Sequence, residues 1–226
     1  MGEFINGVAV READAARVAE ALVAYARAHG VDTATVGDPE WGDVTMSATA
    51  NGWTVLGWPD DAFGRERSAA RALSASLGTV ASTVSIYDGD YWTHVLFDRG
   101  KEVDRFASMP DYFAEDEDEA EQLKREYAGN PAAVAAAIGL DVAQVAPYLA
   151  IRPDEDDFED AYPVSGRGRA FPDDESDLDD AWVFVDFWRR IGIPYQGGGV
   201  GAAYGVDMGP DATWPERLPQ DNECEL

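Results

Sequence analysis

From Thr79 to Phe113 the chain reads TVASTVSIYDGDYWTHVLFDRGKEVDRFASMPDYF, and no other stretch narrows the choice of fold so far. Val80, Val84 and Ile86 alternate with Ala81, Thr83, Ser85 and Tyr87, and Tyr91, Thr93, Val95 and Phe97 alternate with Trp92, His94 and Leu96. A period of two carried by β-branched and aromatic side chains is the pattern of strands covered on at least one face. Asp88-Gly89-Asp90 and Asp98-Arg99-Gly100 stand where the chain has to reverse. Lys101 to Phe106 is more polar and fits a strand nearer a sheet edge, and Pro110-Asp111 ends the meander. Three strands with a buried face need helices laid against them, which the rest of the chain has to supply.

Before the meander, Phe4 to Val10 reads as a strand, and residues 12–29 as a helix with Ala15, Val18, Leu22 and Tyr25 on one face and Gly30 at its end. Val31 to Val36 is a candidate short strand. Val44 to Ala50 and Trp53 to Trp58 flank Asn51-Gly52, the strongest hairpin signal in the chain. Arg65 to Leu77 forms a second helix that Gly78 can cap. After Phe113 the chain turns helical and acidic. Asn130-Pro131 opens one helix, Asp141 opens another running to about Ala150, and Asp180 to Ile191 is a final, largely apolar helix that should be deeply packed. The expected fold class is α+β, a mainly antiparallel sheet with helices packed on it. Its expected division is a sheet core at 1–113, a helical acid-rich extension at 114–194, and a flexible Gly-rich tail at 195–226.

The charge balance is extreme. Asp and Glu number 44 against 17 Lys and Arg, a net charge of −27. Such a surface repels nucleic-acid phosphates and anionic lipid, so neither is expected as a direct partner. Only Lys101 and Lys124 are lysines, which points to a GC-rich genome rather than to selection for arginine. The single cysteine, Cys224, permits no internal disulfide. Glu3 stands where a signal peptide wants positive charge, and no run approaches the ~18 apolar residues of a membrane span. The expected location is cytoplasmic.

Motifs with recognisable chemistry fail on inspection. Residues 131–149 have the small, turn and apolar positions of a helix-turn-helix, but the second helix holds no Arg or Lys for phosphates. Gly197 to Ala202 matches a loose dinucleotide loop without the strand that should precede it. Asp154 to Asp160 has Phe158 at the fifth position of an EF-hand loop, and Asp173 to Asp180 has Leu178 where the loop needs glycine. Two His and one Cys scarcely make a zinc site. No cofactor or metal is expected. His94 is the one candidate general base on a regular element, and an enzyme reading (a hydrolase or a small-molecule-binding enzyme) would assemble it with Asp88 and Asp90.

What remains is a pairing of acids with aromatic residues. Tyr112 and Phe113 precede the run that includes Glu115, Asp116, Glu117 and Asp118. Phe158 lies within the run that includes Asp154, Glu155, Asp156 and Asp157. Phe171 and Trp182 flank the run that includes Asp173, Asp174 and Glu175. Brought to one side of the molecule, these groups would attract and anchor a basic protein. The expectation is a non-enzymatic protein with a basic protein partner, of the kind that neutralises a cationic toxin or nuclease (an immunity protein) or that imitates nucleic-acid charge.

Overall fold

The structure, a computed structural model, describes residues 3–40, 42–59, 64–152, 167–195, 197 and 202–207. Among these residues, eight strands form one sheet: β1 (Ile5–Arg11), β2 (Thr35–Val36), β3 (Val44–Ser47), β4 (Trp53–Trp58), β5 (Val80–Tyr87), β6 (Tyr91–Asp98), β7 (Lys101–Ala107) and β8 (Ala202–Val206). Their order is β2-β8-β3-β4-β1-β5-β6-β7, and every neighbouring pair is antiparallel. Among the described residues, five α-helices accompany it: α1 (Ala15–Ala28), α2 (Glu66–Leu77), α3 (Glu117–Glu126), α4 (Pro131–Ile138) and α5 (Val183–Arg190). The fold is α+β. The meander is β5-β6-β7 with β7 at the edge, and the Asn51-Gly52 hairpin turns with positive φ at both residues.

The sheet is covered on both sides, because alternate residues of its strands are apolar on both faces. Val8, Val10, Leu56, Ala81, Val95 and Phe97 pack against Val18 and Leu22 of α1 and Ala69 and Leu73 of α2. Ala9, Val84, Ile86, Trp92, Leu96 and Phe106 face the opposite layer, where Val134 and Ile138 of α4, Tyr148, and Phe184, Phe187 and Trp188 of α5 close over them. The final helix is as deeply packed as its sequence requires: Phe184, Phe187 and Trp188 have no exposed surface. α3 differs, with no buried residue. Its ten residues are a solvated acidic helix, held by a 2.9 Å ion pair from Lys124 to Asp111.

Two expectations need correction. The helix expected from Asp141 to Ala150 is a short 3-10 turn, Val142–Gln144, capped by Asp141 accepting from the Ala143 N–H at 2.9 Å. Pro147 explains the early stop, since it lacks an N–H and disfavours helical geometry in the residue before it. The segment from 195 onward is not a tail throughout either. Ala202–Val206 inserts as β8 between β2 and β3, pairing with both. A Cβ at Gly205 would lie 2.5 Å from the Pro39 Cβ and 2.8 Å from Val36 Cγ2, so only glycine lets this strand lie so close.

Candidate binding surface

At one end of the sheet, aromatic rings gather around the β5-β6 turn. Tyr87 and Tyr91 are the last pair of the β5-β6 ladder and stack at 5.7 Å between centroids. Phe4, just before β1, packs edge-on against Tyr87 at 5.1 Å. Tyr112 and Phe113, in the turn after β7, close the group: Tyr112 lies 4.9 Å from Tyr91, and Phe113 meets Tyr87 edge-on at 5.2 Å. β1, β5 and β6 bring their ends together here, and the PDYF turn folds back over them. Phe4, Tyr112 and Phe113 are 37 %, 36 % and 41 % exposed, half of the six large exposed apolar side chains among the described residues. Mutual packing of rings at these distances favours a rigid surface over a loose one.

Carboxylates rim this patch. Asp88 and Asp90 are exposed in the turn itself. The Tyr112 hydroxyl donates to Asp90 Oδ2 at 2.6 Å, and this bond pushes the Tyr112 phenol up to about 12. Glu3 accepts at its backbone oxygen from the Gly89 N–H at 2.9 Å and at its carboxylate from the Trp182 indole at 2.8 Å, which fixes the start of the chain against the turn. The first acidic run begins at Glu115, two positions after Phe113. Asp116 caps α3 by accepting from Glu119 N–H at 2.9 Å, and Glu119 accepts from Glu115 N–H at 2.7 Å. Glu115, Glu117 and Asp118 are exposed.

The third run does not join this patch through its carboxylates. Asp174 is buried and accepts from the Tyr148 hydroxyl at 2.8 Å, from Phe171 N–H at 2.9 Å, and from Arg189 and Arg190 at 3.1 and 3.0 Å. Asp173 takes hydrogen bonds from the same two arginines, and the one from Arg190 is the main cause holding its carboxyl below the usual range. The Glu175 side chain is exposed, while its N–H donates to the buried Asp186 at 3.0 Å. Burial pushes the Asp179 carboxyl up, but hydrogen bonds from Arg167 (2.6 Å from its backbone and its side chain) win and hold it low. These acids staple a loop to the C-terminal end of α5, whose cations suit that end of a helix. Asp154, Glu155, Asp156, Asp157 and Phe158 lie outside the described residues.

His94 is not brought to Asp88 and Asp90. It has no exposed surface and sits in the middle of β6, while those aspartates are out on the turn. Its partners are residues on the same face of neighbouring strands: Nδ1 lies 3.3 Å from Asp104 Oδ2, and Nε2 lies 3.1 Å from Ser82 Oγ. The Trp188 indole donates to Ser82 Oγ at 3.0 Å, and the Asn130 N–H donates to Asp104 Oδ1. With the ring proton on Nδ1, one chain of donors runs from Trp188 through Ser82 and His94 to Asp104. Serine, histidine and aspartate here have the contacts of a nucleophilic relay, but the Phe187 ring stands edge-on over the imidazole at 4.9 Å and the three residues are buried. Their hydrogen bonds tie α5 and the start of α4 to the sheet. Sequence reasoning missed Ser82 and Asp104. The available signal was polar residues recurring at inward positions of apolar strands.

The molecule is therefore a two-sided antiparallel α+β sheet with an acidic, aromatic surface at one end. Compared with protein-family models, curated proteins and solved structures, the chain finds no match. Among the described residues, no helix is long and apolar enough to cross a membrane.

Proposed function

We propose that this is a binding protein whose partner is a basic protein, and that the partner docks on Phe4, Tyr87, Tyr112 and Phe113 with Asp88, Asp90 and the outer carboxylates of α3 around it. The observation that carries the reading is the coincidence of the exposed rings with this acidic rim. Rings supply apolar contact area, and a net charge of −27 raises the rate at which a cationic partner arrives. Neutralisation of a cationic toxin or nuclease fits this design, as does imitation of nucleic-acid charge. The patch needs no catalytic group for either.

The test separates specific docking from bulk charge. The wild-type chain and a Tyr112→Ala/Phe113→Ala variant carry the same net charge. In capture from native lysate at low salt, a basic protein held by the first and released by the second supports the reading. Such a partner should also dissociate at high salt, because its association is electrostatic. Equal capture by both chains, or capture indifferent to salt, overturns it.

A further inference from the structure

Two carboxylates beside the aromatic patch are held by aromatic donors. Asp90 accepts from the Tyr112 hydroxyl at 2.6 Å, and Glu3 accepts from the Trp182 indole at 2.8 Å. The turn joins the two acids: the Gly89 N–H donates to the Glu3 backbone oxygen at 2.9 Å, and a Cβ on Gly89 would lie 3.9 Å from the Glu3 Cβ. Trp182, Glu3, Gly89, Asp90 and Tyr112 therefore make one continuous line across the end of the sheet. Phe4, Tyr87 and Tyr91 pack against one another beside it.

The kind of donor sets these two acids apart. Asp111, Glu126, Asp173 and Asp179 each lie within 3.1 Å of a lysine or arginine nitrogen, so a fixed cation already offsets their charge. Among the described residues, neither Glu3 nor Asp90 has an ion-pair partner. An indole N–H or a phenol O–H orients a carboxylate without cancelling its charge, and a carboxylate with about four lone-pair positions still has room for further donors. The Tyr112 phenol, pushed up to about 12, keeps its proton through the neutral range and remains a donor to Asp90. Orienting a charged group before its partner arrives lowers the ordering cost of binding.

We propose, on the strength of the docking surface described above, that Asp90 and Glu3 are two pre-oriented receptors for arginine side chains of the basic partner. A guanidinium can set two parallel N–H groups on one carboxylate and lie flat on a ring, whereas an ammonium is a compact point charge. Both acids stand beside a ring that an arginine could cover. Asp90 is held by the phenol of the exposed Tyr112, and Glu3 adjoins the exposed Phe4 and touches Trp182. Attraction between a cation and a ring face extends to about 6 Å, so an arginine on Asp90 comes within reach of the Tyr112 ring.

Calorimetric titration of the full chain with hexa-arginine and with hexa-lysine, in about 150 mM NaCl, compares two probes of equal charge. The expected result is about three- to tenfold tighter binding of hexa-arginine, with the carboxyl carbon NMR resonances of Glu3 and Asp90 moving as it is added. Tyr112→Phe and Trp182→Phe keep the rings and the net charge but remove the neutral donors. In the double variant the preference should shrink toward one while hexa-lysine binding is unchanged. Equal affinities of the wild-type chain for the two peptides, a preference intact in the double variant, or resonance shifts confined to other acids would each overturn the assignment. The wild-type comparison decides even where the double variant fails to fold. A partner released by Tyr112→Ala/Phe113→Ala, combined with equal peptide affinities, leaves the docking surface standing and removes only the arginine receptors. A preference for hexa-arginine in a chain that captures no partner removes the docking surface and leaves the two carboxylates selective.

Discussion

Glu66 shows how a single carboxyl can set the pH response of this fold. Burial is the main cause raising it above the usual carboxylate value, against the opposing effect of Arg67. A carboxyl raised in the folded state contributes stability that is fully present below its unfolded value and is lost as pH rises through the folded one. Glu66→Gln removes that titration. The variant and the wild type should have similar urea midpoints near pH 4, and the variant should be the more stable at neutral pH. A difference that stays constant with pH would contradict this account. Asp174 has a different neighbourhood, accepting hydrogen bonds from two arginines and the Tyr148 hydroxyl. The acidic character of both residues was legible in the sequence and their roles were not, because the partners that decide them lie elsewhere along the chain. Arg190 is 16 residues beyond Asp174, and Ser85 is 19 beyond Glu66. Tyr112 and Phe113 could be singled out as candidates because they adjoin an acidic run. Phe4 gave no such signal, since its ring partner Tyr87 is brought to it only by the pairing of β1 with β5.

Elements were read best where local rules suffice. The meander, α1, the Asn51-Gly52 hairpin and the Asn130-Pro131 helix start all rest on periodicity, turn chemistry or capping within a few residues. The double covering of β5 and β6 was harder to see, because Ser82 and His94 interrupt the apolar face that α5 closes. α5 in turn depends on small residues in the sheet. A Cβ on Gly7, in the central strand β1, would lie 3.0 Å from the Trp188 indole. Gly7→Ala should therefore push α5 off the sheet and cost about 1–3 kcal/mol by the overpacking rule. Chemical denaturation measures this, and an alanine variant as stable as the wild type would show that the helix gives way freely. Gly7 sits in the strand-like run Phe4 to Val10, where the sequence offered no reason to single it out.

Across the whole molecule the surplus of negative charge sets the response to salt. A net charge of −27 opposes compaction through self-repulsion, and most of the described ion pairs involve at least one partly exposed side chain. Raising NaCl from about 10 mM to about 300 mM shortens the screening length from roughly 30 Å to under 10 Å. The expected outcome is a higher Tm by calorimetry; a falling Tm would mean that the ion pairs outweigh the repulsion. The sheet also has an assembly order built into it. β2 is joined to the rest only through β8, and β8 comes from residues 202–206, more than 150 positions after β3. While the chain is being synthesised, β3 must wait as an open margin with unpaired amides until residues 202–206 have emerged from the ribosome. That delay makes the β3 margin the place where a nascent copy could take a foreign strand, and Gly205 is the residue that lets the right one fit against Val36 and Pro39.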